Sequence, residues 1–474
     1  MMRRWPALVV IASLIAALVV LGDAPDGEVV AFGDAEADVM PETDRASAVS
    51  STWYCAAGTA VGGGEANLTV VVANLGGVAR SGTITWMPSD GSEGAVVPIE
   101  VAPDSVTAQA AADHVDASGV SALVELDGGE VAVEHAVSGP RGSGVAPCAS
   151  EASTEWYLAN GVTERDARQA YALFNPFPDD VVVDITFSTD EGRRNPGPLQ
   201  GLPIAAGTTT FVPVHDFVQR QAVTAASIVA RTGRLVVDRV QNFDGSLGRR
   251  GVSLALAAPA PAELWQFPDG LHTEGVTESW HIYNPGDREA LVSLELQPVE
   301  GDAPEPFDLT IPPRTQMVVP ADEERVPAGV AHSSTIRSLN GVGVVAERAV
   351  DARSPSARRG WSSALGAPAA ADRWAFPMGE ASRNTDQWIV IYNPGARPVT
   401  VSVIALANGQ RLPIEGLQDR SLDPAGRLAL RLGDHINRRP LPVVVEATGA
   451  VVVERDVYGV DRTGVSTIIG IPVR

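Results

Sequence analysis

The chain has 474 residues, 45% of them hydrophobic, and carries 35 basic against 58 acidic side chains for a net charge of −23. That is too long for one ordinary core and too apolar for a disordered chain. The acidity, with arginine the only strong base and lysine absent, argues against a nucleic-acid partner, which needs a basic footprint.

The N-terminus sets the expected compartment. Arg3 and Arg4 precede an uncharged stretch, residues 5–21, and acidic residues follow from Asp23. As a helix these 17 residues would span about 25 Å at ~1.5 Å per residue, short of a hydrocarbon core of ~30 Å but at the lower end of the lengths that cross one. The flanking charges put the N-terminus inside and the bulk outside. Residues 1–22 are therefore predicted to be a signal-anchor, with a cleaved signal peptide as the alternative. No clean small-x-small site stands just past the apolar run, and no cysteine there offers a lipid anchor. Residues 23–50, "DAPDGEVVAFGDAEADVMPETDRASA" and its continuation, are expected to form an acidic linker.

Four copies of one unit follow. Trp53, Trp156, Trp265 and Trp374 are spaced by 103, 109 and 109 residues. Asn74, Asn175, Asn284 and Asn393 come 21, 19, 19 and 19 residues after them. An acid–base doublet comes 60–63 residues later: Glu134-His135, Asp238-Arg239, Glu347-Arg348 and Glu454-Arg455. Each copy closes on a glycine-led apolar stretch, "GVAP", "GVSLALAAP", "GWSSALGAP" and "GVSTIIGIP". The predicted units are 51–150, 151–260, 261–369 and 370–474.

Within a copy the apolar period is two, as in Val181, Val183, Ile185 and Phe187, the mark of half-buried strands. Breaker clusters recur every 8–12 residues, and no long helical pattern appears. The expected fold is all-β: four tandem Ig-like β-sandwich domains. A β-propeller with two blades per copy is the alternative. Short Pro/Ala-rich junctions at 256–263 and 365–372 favour a rod of domains.

The phrase "WHIYNPGDREALVSLEL" (280–296) and its cognates are expected to be hairpins. Asparagine at the first turn position bonds its own backbone two residues on, and proline presets φ. Gly286 and Gly395 suggest type II turns, Phe177 a type I turn. The two cysteines, Cys55 and Cys148, are expected to pair as a disulfide closing 93 residues, worth at most roughly 4–5 kcal/mol. Two distant cysteines in an oxidising compartment have no simpler use.

The recurrent tryptophans are expected in the core. The competing reading makes Trp53, Trp156, Trp265 and Trp374 stacking platforms for sugar rings. Neighbours on a strand point to opposite faces, so acid and base of a doublet cannot pair with each other and should find an adjacent strand or loop backbone. The functional alternative is a line of Arg239, Arg348 and Arg455 forming a repeating anion site. His114, His215 and His435, about 40 residues after their asparagines, are expected at strand ends. They lack the companions of a metal site, and "SDGSEG" (89–94) reads as a turn. No nucleophile elbow, phosphate loop, dinucleotide fingerprint, metalloprotease helix or C-x-x-C is present. No cofactor, metal or catalytic residue is predicted. Paired carboxylates meeting in space are not visible in sequence.

On "STWYCAAG", the asparagine-centred turns and the "VVVER"-type strands, the chain from residue 53 onward resembles a family of actinobacterial exported or membrane-anchored proteins defined only as a domain of unknown function. The resemblance implies an envelope or secreted location and a β-rich fold, and brings no catalytic residues. The combined expectation is a non-catalytic extracytoplasmic scaffold or adhesion/interaction protein of the cell envelope, held to the membrane by its N-terminal helix. A glycan-binding envelope protein is the second reading, and an enzyme acting on envelope polymer the third. The partner would be an envelope protein or glycan.

Overall fold

The computed structural model describes residues 39–322, 325–407, 409–459 and 463–474. The predicted N-terminal helix (1–22) and most of the acidic linker lie outside the described residues. Among those described, no helix is long and apolar enough to cross a membrane.

The chain is nearly all β, in several sheets, none of them closed. Strands β1 (Ser50–Cys55), β2 (Asn67–Asn74), β3 (Arg80–Pro88), β4 (Ala95–Val101), β5 (Ser105–Ala110), β6 (Val120–Asp127), β7 (Val131–Gly139) and β8 (Gly142–Pro147) belong to the first repeat. The second holds β9 (Glu155–Leu158), β10 (Ala167–Asn175), β11 (Val181–Thr189), β12 (Gly192–Arg194), β13 (Gln200–Ile204), β14 (Thr208–Pro213), β15 (Thr224–Thr232), β16 (Val236–Asp244) and β17 (Arg250–Leu256). The third holds β18 (Leu264–Phe267), β19 (Val276–Asn284), β20 (Ala290–Pro298), β21 (Phe307–Ile311), β22 (Thr315–Pro320), β23 (His332–Ser338), β24 (Val345–Ala352) and β25 (Gly360–Leu365). The fourth holds β26 (Ala371–Phe376), β27 (Thr385–Tyr392), β28 (Val399–Ala407), β29 (Gln410–Pro413), β30 (Arg420–Leu422), β31 (Arg427–Arg431), β32 (Val443–Gly459), β33 (Val465–Ile469) and β34 (Ile471–Pro472).

In the first repeat one sheet has the order β1-β6-β3-β4 and the other β5-β2-β7-β8. The orders β18-β23-β20-β21 and β22-β19-β24-β25 repeat this in the third. Trp53, Ile84, Trp86 and Val124 from one sheet pack with Val70, Val72, Val131 and Val133 from the other in a shared core. This interleaved order differs from the sequential meander of a propeller blade.

Two expectations need correction. The Asn-Pro-Gly phrase is not a hairpin, because its two strands belong to different sheets: β19 pairs with β22 and β24, whereas β20 pairs with β21 and β23. The phrase is an arch from one sheet to the other. Its asparagine is fully buried and accepts the expected bond from two residues on, as in Gly286 N to Asn284 Oδ1 at 3.0 Å. It also does something the sequence did not disclose. Asn284 Nδ2 donates to Arg288 O at 2.7 Å and, across the sandwich edge, to Ile311 O at 3.0 Å. Asn74, Asn175 and Asn393 make the same set of bonds. Each therefore staples its arch to the β4–β5 type of connection. Gly286 and Gly395 are not at positive φ, so the type II geometry is not adopted. The left-handed residue lies in the facing connection, at Asp104, Gly207, Arg314 and Ala425, with φ of 45°, 64°, 57° and 54°.

The rod is also overturned. The described residues from 39 to 474 form one compact unit. The final strands touch in cyclic order, β8 on β17, β17 on β25, β25 on β33 and β33 back on β8. Hydrophobic cores run across the junctions: Ala56 and Val137 join the second repeat's core, and Ala375, Leu406 and Val444 join the first's. The Pro/Ala junctions pack rather than extend, with Ala257, Ala258 and Ala262 buried. The end of the supposed linker is likewise part of the body. Val39 and Thr43 are buried, Thr43 N donates to Pro472 O at 3.0 Å, and Glu130 N to Asp44 O at 2.9 Å. Residues 39–41 line an apolar pocket together with Ala146, Leu256, Leu365 and Ile469 from the four repeats.

Candidate functional site

The acid–base doublets lie on β7, β16, β24 and β32, and alternation sends acid and base to opposite sides. In this closed arrangement the opposite sides are the preceding and the following repeat. Glu134 Oε2 accepts from Arg455 Nη1 at 3.0 Å and from Met378 N at 2.7 Å, both in the fourth repeat. Asp238 Oδ2 accepts from Ala56 N at 3.0 Å and lies 2.9 Å from His135 Nε2, both in the first. Glu347 meets Arg239 through both carboxylate oxygens, at 3.1 and 2.8 Å, and accepts from Ala159 N at 2.9 Å. Glu454 pairs with Arg348 and accepts from Asp269 N at 3.1 Å. Three buried arginine–carboxylate pairs and one histidine–aspartate contact thus close a ring, each acid clasping a backbone N–H just after the neighbour's first strand.

Arg239, Arg348 and Arg455 are at most 2% exposed, so they form no surface anion line. The anions they bind are the acids of the next repeat. Trp53, Trp156, Trp265 and Trp374 are at most 1% exposed and present no sugar platform. They fill the core, as the first reading expected. Three donate their indole N–H to the carbonyl opposite, Trp156 to Leu235 O at 2.8 Å, Trp265 to Val344 O at 2.7 Å and Trp374 to Val451 O at 2.9 Å. The three histidines sit at strand ends: His114 and His435 close short 3-10 turns, and His215 lies in the four-residue helix Val214–Phe217.

Cys55 and Cys148 form the expected disulfide. Its place has a clear packing logic. In the bridges Tyr54–Ala149, Tyr157–Ala258 and Gln266–Ala367 the neighbouring residues face each other as Cys55/Cys148, Leu158/Ala257 and Phe267/Gly366. A Cβ on Gly366 would come 2.8 Å from the Phe267 ring, and one on Gly470 2.6 Å from that of Phe376. Large/none, medium/small and sulfur/sulfur fill one site. His135 Nδ1 lies 3.3 Å from Cys148 Sγ, so Cys55, His135 and Cys148 cluster. With both sulfurs in a disulfide, no thiolate remains to ligate a metal.

The junction between the third and fourth repeats is richest in charge. Asp269, Glu278, Glu454 and Asp456 are all buried, facing Arg348, Arg427 and His332. Burial works against the Asp269 carboxylate, yet Arg427 and Arg348 hold it down at about 2. Burial, then Glu454 and Asp269, push Asp456 well above the ordinary carboxylate range. Burial also raises Glu454 and Glu134 against the pull of their arginines. Asp456 stands where the other repeats have Ala136, Val240 and Ala349. Sequence reasoning singled out the doublets but missed this cluster, whose one signal was an acid directly after the fourth doublet.

No family model matches the chain, and no curated protein is similar to it. Among solved structures it is similar to one titled "Crystal structure of tetra-tandem repeat in extending region of large adhesion protein", at 11% identity over 89% of this chain and 99% of that one, with a TM-score of 0.10.

Proposed function

We propose that the protein is a non-catalytic scaffold or adhesion/interaction module of the cell envelope, built from four Ig-like sandwich domains. The observation that carries this reading is the fate of the recurrent polar residues. Every doublet is buried and spent on joining repeats, so what the chain repeats is the means of building one compact body. The converging carboxylates at the third junction are 8% exposed or less, which supports a structural role over catalysis. The buried disulfide supports export to an oxidising compartment. Membership of the actinobacterial exported family, and anchoring through residues 1–22, belong to the same proposal. The glycan-binding reading loses the exposed tryptophans and arginines on which it stood.

Co-sedimentation of the protein with cell-wall material from its own organism tests this reading. Binding should disappear when the wall is first treated with protease. Binding that survives protease would instead establish glycan recognition.

A further inference from the structure

The hairpins β7–β8, β16–β17 and β24–β25 return through Arg141-Gly142, Arg250-Gly251 and Arg359-Gly360, and the fourth repeat puts Thr463-Gly464 at the same place. The first three glycines have φ of 131°, 146° and 145°, values that a side chain disfavours. They also allow close approach. A Cβ on Gly360 would lie 2.8 Å from Val465 N, and one on Gly142 3.1 Å from Thr463 O. Gly464 N donates to Arg359 O at 2.8 Å. Tight packing of the repeats thus carries an arginine from each of three hairpins to a common rim.

Two clefts of about 530 and 390 Å³ open on that rim and share Arg250 and Thr463. Arg141 lines the first, and Arg353 and Arg359 the second. Most cations nearby are occupied: Arg141 pairs with Glu65 at 2.6 Å, Arg353 pairs with Asp351, and Arg358 lies 3.6 Å over the Tyr458 ring. Among the described residues Arg250 and Arg359 have no side-chain partner. The acid lining the second cleft, Asp244, already accepts from Ser246 N at 2.8 Å. Among the described residues lining the second cleft, Arg250, Arg353 and Arg359 outnumber the one acid, Asp244, a local reversal of sign in a chain of net charge −23.

We infer that this rim is a binding site for a multivalent oxyanion of the phosphate class, held by Arg250 and Arg359. Guanidinium groups present paired N–H donors that match such oxygens, and a recess concentrates their field. The site is independent of the scaffold reading, and either can fail without the other.

The test is calorimetric titration of the protein at low ionic strength with inorganic pyrophosphate and, separately, with a polyphosphate chain. Saturable binding should weaken at least tenfold in Arg250→Gln and in Arg359→Gln, while Arg193→Gln on the outer surface leaves it unchanged. Unliganded melting temperatures of the variants should match the parent, which separates lost binding from lost fold. Tighter binding of the chain than of pyrophosphate would identify a polymer-borne anion, and equal binding a free one. No saturable binding, or binding that both rim substitutions leave intact, would overturn the assignment.

Discussion

The junction between the first and second repeats and that between the second and third use one architecture with different chemistry. At the latter, Arg239 meets Glu347 through two oxygens, and Ser363 Oγ donates a further bond to Glu347 at 2.8 Å. At the former, the base is His135, its acceptor Asp238 is a carbon shorter, and the other imidazole nitrogen rests against the disulfide. The position therefore demands a donor that reaches the next repeat's carboxylate, and permanent charge is not part of the demand. A fixed charge must keep its partner, whereas an imidazole can become neutral. The covalent bond stands beside the junction with the weaker donor.

That contrast orders the expected effects. Glu347→Ala strands a buried guanidinium and should cost about 3–5 kcal/mol, seen as the largest drop in thermal midpoint. Replacing both cysteines by alanine should cost about 2–4 kcal/mol. The pair Cys55→Leu with Cys148→Ala, which copies the second repeat's Leu158/Ala257, should lose visibly less in the same melt. Asp238→Ala, which removes a single-oxygen contact to an imidazole and a bond from Ala56 N, should fall below Glu347→Ala, at about 1–3 kcal/mol. Equal losses at the two junctions would break the comparison.

A smaller effect carries a pH signature. Asp456 holds its proton more tightly folded than unfolded, so its contribution to stability declines as pH rises above its ordinary 3.8 toward its raised folded value. Asp456→Asn should therefore be more stable than the parent at pH 7 by about 1 kcal/mol, with the gain vanishing near pH 3.5. Denaturant melts at the two pH values check it. Asp269 has the opposite sign. Its stabilisation is present above pH 3.8 and is lost as pH falls toward 2. The smallest expected change is Ala425→Gly, which relieves a φ of 54° and should gain about 0.5–1 kcal/mol in a chemical melt.

The strands, the four-fold repetition, the disulfide and the buried tryptophans were legible because each depends on local periodicity or on residue type. The closure was not. A doublet such as Glu347-Arg348 announces two opposed faces, but nothing in its strand says that both faces meet other repeats. The arch at Asn284 looked like a hairpin for a related reason. Turn chemistry is local, whereas which sheet a strand joins depends on contacts some 27 residues away, such as Asn284 to Ile311. The Arg-Gly rim was hidden again, since its glycines read as ordinary breakers until the neighbouring backbone lies against them.

Small-angle X-ray scattering of residues 39–474 tests the closure most directly. One compact body of that length should have a radius of gyration of about 22 Å. Four separate sandwiches in line would give roughly 40 Å, and a value near that would contradict the ring of buried polar contacts between repeats on which this account rests.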